Sequence, residues 1–154
     1  MIYVFDSSPF INAFNHYYPE TFLTFWKNFF QYIEDDRIVS VRSVKTELKD
    51  RGDALSDFVK KYDIFTMPTD EETDFVATIF SNGHFRELIS QKARLSGKEV
   101  ADPYVIAKAK IINACVVTQE KHKPNAAKIP NVCEHFSISC VNLEEFMKQE
   151  GWVF

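Results

Sequence analysis

The chain has 154 residues, of which 45% are hydrophobic, and a formal net charge of −4. This size supports one core, and without a linker, low-complexity segment or internal repeat we expect a single domain over residues 1–154. No apolar run reaches the ~18 residues needed to cross a bilayer, and the first apolar run is too short for a signal peptide, so we expect a cytoplasmic protein.

The first strand is predicted over residues 2–5, a short apolar run that ends at Asp6. Ser8 and Pro9 then form the predicted start of a helix, because proline is well tolerated in the first helical turn. In open α/β sheets, ligands bind beyond the carboxyl ends of the strands. Asp6 is therefore a candidate for chemistry, and the alternative is a turn residue that makes local hydrogen bonds.

The next predicted elements are a helix continuing over residues 10–14, a longer helix from Pro19 to about Ile33, and a strand over residues 38–41. In the longer helix, apolar residues at spacings of three and four predict a broad buried face, with a partner groove as the alternative. A helix over residues 43–50 carries Glu47. Glutamates in helices are usually solvated, but this one follows a strand end.

Residues 54–62 form a further predicted helix, and residues 64–67 a short edge strand. Thr69 and Glu72 have the spacing of a capping box, which predicts the start of the following helix. Later predicted elements are a helix over residues 84–95, a helix capped by Asp102 with Pro103 in its first turn, and a strand over residues 115–118 that leads to Glu120. A loop containing Ile129 and Pro130, a strand over residues 136–141 and a terminal helix capped by Asn142 complete the series.

Alternating strands and helices predict an α/β fold in which a central, mainly parallel sheet lies between two helical layers, as a three-layer α/β/α sandwich. Asp6, Glu47, Asp102 and Glu120 all lie at strand ends or on adjoining helices, so the topology can bring them to one rim. Clustered carboxylates raise one another's pKa, and a divalent cation relieves that conflict. All-oxygen ligands favour Mg²⁺ or Mn²⁺, which can activate water for phosphodiester hydrolysis and offset the negative net charge.

Four short motifs resemble those of the PIN-domain family, which includes the VapC-type toxin ribonucleases of bacteria. They are YVFDSSPFINAF, SVKTELKD, VADPYVIAKA and VVTQEK, and their order extends over nearly the whole chain. The resemblance implies a PIN-like fold in which the four acids are the catalytic and metal-binding residues. The chain departs from the family pattern at Glu120, where many members have Asp.

The resemblance further implies a metal-dependent endoribonuclease that acts as the toxin of a toxin–antitoxin pair, with an antitoxin partner and a homodimeric assembly. Ser7 and Thr118 are expected to orient a ligand or water. The alternatives are a catalytically weak protein- or RNA-binding module on the same fold and a metal-dependent DNA nuclease or phosphatase. Candidate contacts to the RNA backbone, which can equally be solvated surface charges, are Arg42, Lys45, Lys49, Lys121 and Lys123.

Overall fold

Five parallel strands form one sheet in the computed structural model, which describes residues 1–89 and 100–154. The strand order is β3-β2-β1-β4-β5, so the chain reverses its direction of growth at β1, between β2 and β4. The strands are β1 (Tyr3–Phe5), β2 (Ile38–Val41), β3 (Phe65–Thr66), β4 (Cys115–Val117) and β5 (Cys140–Val141).

Helices flank this sheet, which confirms the predicted α/β class. None of the helices within the described ranges is long and apolar enough to cross a membrane. They are α1 (Ser7–His16), α2 (Leu23–Glu34), α3 (Arg42–Leu48), α4 (Ala54–Lys61), α5 (Asp70–Ser81), a 3₁₀ helix (Gly83–Leu88), α6 (Asp102–Ile112), α7 (Ile129–His135) and α8 (Leu143–Gln149).

Aromatic side chains from several elements fill the core against one face of β1. Tyr3 and Phe5 are two residues apart and point to the same face of the sheet, where each packs against Phe146 of α8. Phe29 of α2 is fully buried and lies with its ring centroid 6.3 Å from that of Phe5. The aromatic face predicted for α2 is therefore core, although Phe22 and Phe30 remain half-buried at its edges.

A hydrogen-bond network joins the end of the chain to the start of the sheet. Glu150, just after α8, accepts hydrogen bonds from the hydroxyls of Tyr3 and Tyr32 at 2.5 and 2.6 Å. Arg37 donates to the same carboxylate at 2.6 Å. Burial raises the pKa of Glu150, but these hydrogen bonds together outweigh burial, so the pKa lies below its usual value.

Several predicted element boundaries are wrong, and three helix starts are the clearest cases. The second helix begins at Leu23 rather than Pro19, because residues 18–22 form a turn in which Thr21 and Phe22 donate to the carbonyl of Tyr18. The α1 helix begins at Ser7 with Asp6 at its N-cap, and α6 has Ala101 at its N-cap, with Asp102 as its first residue. The predicted cap at Ser8 is therefore displaced by two residues, and the predicted cap at Asp102 by one.

The prediction was also wrong in the C-terminal third. The segment from Ile129 to His135 is helix rather than loop, because Pro130 stands in the first turn, where its missing N–H costs nothing. The last strand covers only Cys140 and Val141, since the chain turns at Ser137 with a left-handed φ of 56°. The predicted helix over residues 84–95 is a 3₁₀ helix as far as Leu88, and its remainder from residue 90 lies outside the described residues.

Candidate active site

Four carboxylates lie at the carboxyl end of the sheet, each delivered by a different element. Asp6 follows β1 directly, and Glu120 follows β4 by three residues. Glu47 lies on α3, which begins as soon as β2 ends, and Asp102 opens α6. Because β1 and β4 are the neighbours at which the strand order reverses, the crevice between their ends is where this architecture binds ligands.

Asp6 is buried and is held by hydroxyl groups from two elements. Its side chain is 5% exposed, and its Oδ2 accepts from the Thr118 hydroxyl at 2.9 Å and from the Ser8 hydroxyl at 3.2 Å. Ser8 Oγ in turn accepts from the backbone N–H of Gln119 at 2.9 Å. These bonds fasten the start of α1 to the segment after β4 and fix the position of the Asp6 carboxylate.

Two other carboxylates are turned to local partners. The Ser7 hydroxyl donates to the carboxylate of Glu47, which joins α1 to α3. Glu120 Oε2 accepts from the backbone N–H of Ile129 at 3.2 Å, at the start of α7. Its own backbone N–H donates to Thr118 Oγ1 at 3.2 Å. Thr118 thus contacts two of the four candidate acids, and Ser7 contacts a third.

All four carboxyl groups have raised pKa values, and the charges of neighbouring acids contribute at Asp102, Glu47 and Glu120. Burial raises the pKa of Asp102 to about 8, and the negative charges of Asp6, Glu120 and Glu47 add to this shift. The pKa values of Glu47 and Glu120 are also raised, first by loss of solvent and then by the charge of Asp6 in each case. Burial raises the pKa of Asp6 as well, against the hydrogen bonds that it accepts. The structure therefore brings these acids to one rim.

Among the residues that the structure describes, no cation neutralises this rim at short range. Within residues 1–89 and 100–154, the ion pairs shorter than 4 Å involve other acids. Lys128 lowers the pKa values of Asp102 and Glu120, but burial and the charge of Asp6 each have a larger effect and raise both. Repulsion among these carboxylates consequently remains, and a bound cation would relieve it.

The carboxylates do not form a closed metal cage. Across the part of the chain that the structure describes, no group of three or more His, Cys, Asp or Glu side chains is arranged to hold a metal ion. In this open arrangement Glu47 is bonded to Ser7 and Glu120 to Ile129. The donor set still fits Mg²⁺ or Mn²⁺, which bind protein through a few carboxylate oxygens and keep several waters.

The predicted RNA-binding residues lie on two separate segments beside the rim. Arg42, Lys45 and Lys49 are on or just after α3, and the Arg42 guanidinium lies 2.9 Å from Met67 Sδ. Lys121 and Lys123 are exposed on the loop after β4. Their role in binding RNA stays a prediction.

Comparison with known proteins assigns the chain to a family. A family model described as Domain of unknown function (DUF4411) matches residues 3–154. The chain belongs to this family. Comparison with curated proteins finds no match.

The DUF4411 chain is also similar in structure to a chain in the crystal structure of VapBC2 from Rickettsia felis bound to a DNA fragment from their promoter. The TM-score is 0.53 at 14% sequence identity, and the similarity covers 92% of this chain and 98% of that one. At this identity the likeness is one of fold. It confirms the PIN-like fold that the motifs suggested.

Three residues beside the DUF4411 rim were not identified as site residues from the sequence. Ser8 was interpreted only as a helix cap, yet it bonds both Asp6 and Gln119. Gln119 Oε1 accepts from the backbone N–H of Leu143 at 2.8 Å and so fixes the loop after β4 to α8. Lys128 lies eight residues beyond Glu120 in the chain, directly before α7. The fold brings it back to the rim. No local sequence pattern indicates these contacts.

Proposed function

We propose that this protein is a metal-dependent endoribonuclease that hydrolyses RNA phosphodiester bonds. The observation that carries the proposal is the set of four acids with raised pKa values at the reversal point of a parallel sheet, three of them raised in part by repulsion from neighbouring acids, without a short-range cation among the described residues. Repulsion of this kind destabilises a protein unless a bound ligand offsets it. Acids with perturbed pKa values in a cleft are typical of functional sites.

Asp6, Glu47, Asp102 and Glu120 would hold Mg²⁺ or Mn²⁺ in this proposal. When bound, the cation supplies the positive charge that activates water and offsets the charge developing on the scissile phosphate. Thr118 and Ser8 hold the Asp6 carboxylate in place, and Ser7 orients Glu47. Lys121, Lys123 and the basic residues of α3 contact the phosphate backbone and make binding sensitive to salt.

The fold also supports a proposed cellular role as the toxin of a bacterial toxin–antitoxin pair. Its support is the structural similarity to a chain of the VapBC2 complex from Rickettsia felis. In this role an antitoxin protein binds the carboxylate rim and blocks RNA, and the toxin is a cytoplasmic homodimer. Growth arrest on expression of the native chain, relieved by Asp6→Asn, would support a toxin, whereas harmless expression of the active nuclease would contradict it.

The nuclease activity is tested with Asp6→Asn, which removes a carboxylate at nearly constant volume. We expect Mn²⁺-dependent cleavage of single-stranded RNA to fall at least about 100-fold, since loss of groups that merely support metal ligands already costs about 10–100-fold. Asp63→Asn, an exposed loop residue, is the matched control and should cleave normally. Full activity of Asp6→Asn would show that the site is assigned wrongly.

A catalytically weak binding module is the second candidate. It is favoured by the hydrogen bonds of Glu47 to Ser7 and of Glu120 to Ile129. Incubation of the folded protein with RNA in Mn²⁺ and in EDTA separates the two functions. Cleavage that EDTA abolishes supports the nuclease, and inertness in saturating Mn²⁺ supports the module. Parallel assays on single-stranded DNA and a phosphomonoester test the remaining alternative, a DNA nuclease or phosphatase.

A further inference from the structure

A polar cavity lies beside the carboxylate rim. Its volume is about 620 Å³, within the range of ~300–1,000 Å³ typical of small-ligand sites. Three of the chain's four histidines line it. We name it the histidine cavity, and the lining residues that bear on its chemistry are His84, Phe85, His122, Asn125, Glu134 and His135.

The lining favours a planar, uncharged ligand that carries hydrogen-bond donors. The cavity wall contains no lysine or arginine among its described residues, and the Glu134 carboxylate disfavours an anion. Imidazole rings provide flat surfaces on which nucleobases stack. A carboxylate accepts hydrogen bonds only, so its natural partner is a donor such as an exocyclic amino group.

Contacts within the wall hold these groups in place. His122 Nε2 lies 2.7 Å from Glu134 Oε2, and the His135 ring meets that of Phe85 edge-on with centroids 5.0 Å apart. Asn131 Nδ2 donates to the Lys123 carbonyl at 2.6 Å, which ties the loop after β4 to α7. The cavity is thus built on α7, the 3₁₀ helix and a fastened loop.

One lining residue, His122, relates the histidine cavity to the carboxylate rim. That residue also lines a neighbouring cavity of about 350 Å³, whose wall includes Thr118 and Glu120. His122 is four positions after Thr118 in the chain, so the Cα atoms of these two residues are at most roughly 14 Å apart. The exposed loop between them carries Lys121, which is suited to a phosphate of a strand passing from one site to the other.

We propose that the histidine cavity is a base-binding subsite for single-stranded RNA that takes a base with an exocyclic amino group, which Glu134 accepts. The proposal rests on the ribonuclease function, because it places this base near the phosphodiester at the four acids. It extends that function from RNA in general to sequence preference. Glutamate accepting from the N4 amino group of cytosine is an established form of base recognition.

Fluorescence anisotropy with labelled cytidine and uridine heptamers tests the proposal in EDTA, where metal-dependent cleavage is suppressed. The two bases differ at C4, which carries an amino donor in cytosine and a carbonyl acceptor in uracil. We expect the native chain to bind the cytidine heptamer about tenfold more tightly. Glu134→Gln should abolish this preference, because an amide can accept from cytosine or donate to uracil.

The matched control is Glu144→Gln, which changes an exposed glutamate on α8 and should retain the preference. Equal binding of the two heptamers by the native chain, or an undiminished preference in Glu134→Gln, would overturn the proposal. Cleavage assays in Mn²⁺ separate it from the nuclease function. Cleavage without base preference would contradict only the subsite proposal. Base preference without cleavage would contradict only the nuclease proposal.

Discussion

At the scale of single residues, Asp102 shows the energetic character of the rim most clearly. Its pKa is raised to about 8 by burial and then by three neighbouring acids, whereas an aspartate in an unfolded chain titrates near 3.8. The folded state therefore binds a proton that the unfolded state has lost across this interval. Linkage then requires the apo protein to lose stability as the pH rises from about 4 to about 8.

Replacing Asp102 by Asn should remove much of this loss, because an amide has no proton to release. In EDTA we expect Asp102→Asn to be more stable than the native chain at pH 8 and to show little gain at pH 4, where the native carboxyl is already protonated. Urea unfolding at the two pH values measures the difference. Asp63→Asn should show no such pH-dependent gain, and an equal effect of both variants would contradict the assigned coupling.

At the scale of elements, the aromatic face of α2 carries much of the packing on one side of the sheet. Phe29 is fully buried and contacts rings from β1, α1, α2 and α4, among them Phe5, Phe10 and Phe58. Leu23, at the start of the same helix, is 68% exposed. The two residues provide a matched pair for testing which part of α2 stabilises the fold.

Phe29→Ala should reduce the free energy of unfolding by about 3–5 kcal/mol, as expected for loss of a buried phenylalanine. Leu23→Ala should change it by less than about 0.5 kcal/mol, because little apolar surface is buried there. Denaturant unfolding of both variants checks the prediction. Similar losses in the two would mean that the α2 face is packed differently from the structure described.

The elements predicted correctly are those with strong local signals. The capping boxes at Thr69 and Asn142 each start a helix where expected, and β2 has the predicted bounds. The incorrect predictions lie where one sequence pattern is compatible with two conformations. Residues 129–141 contain apolar side chains compatible with helix or strand, and the left-handed turn at Ser137 that separates α7 from β5 has no glycine to mark it.

At the scale of the whole molecule, the topology explains why acids distant in sequence lie at one edge of the sheet. Strand ends share one edge in a parallel sheet, so the order of motifs was enough to predict that Asp6, Glu47, Asp102 and Glu120 approach one another. Side-chain directions could not be predicted in this way. The bonds of Glu47 to Ser7 and of Glu120 to Ile129 depend on tertiary contacts between elements.

The net charge of the molecule favours cation binding at this rim. A chain with a net charge of −4 and four repelling carboxylates at one crevice gains most from a bound divalent cation. Binding to the folded state alone raises stability through mass action, in proportion to the logarithm of ligand concentration. Metal binding is therefore measurable without RNA and independently of catalysis.

The most direct measurement is the thermal unfolding midpoint of metal-free protein titrated with Mn²⁺. We predict an increase of about 5–10 °C for the native chain and for Asp63→Asn at a free Mn²⁺ concentration of about 100 times Kd. Asp6→Asn should lose most of this increase. No increase in the native chain, or the same increase in Asp6→Asn, would contradict a metal site built from these carboxylates.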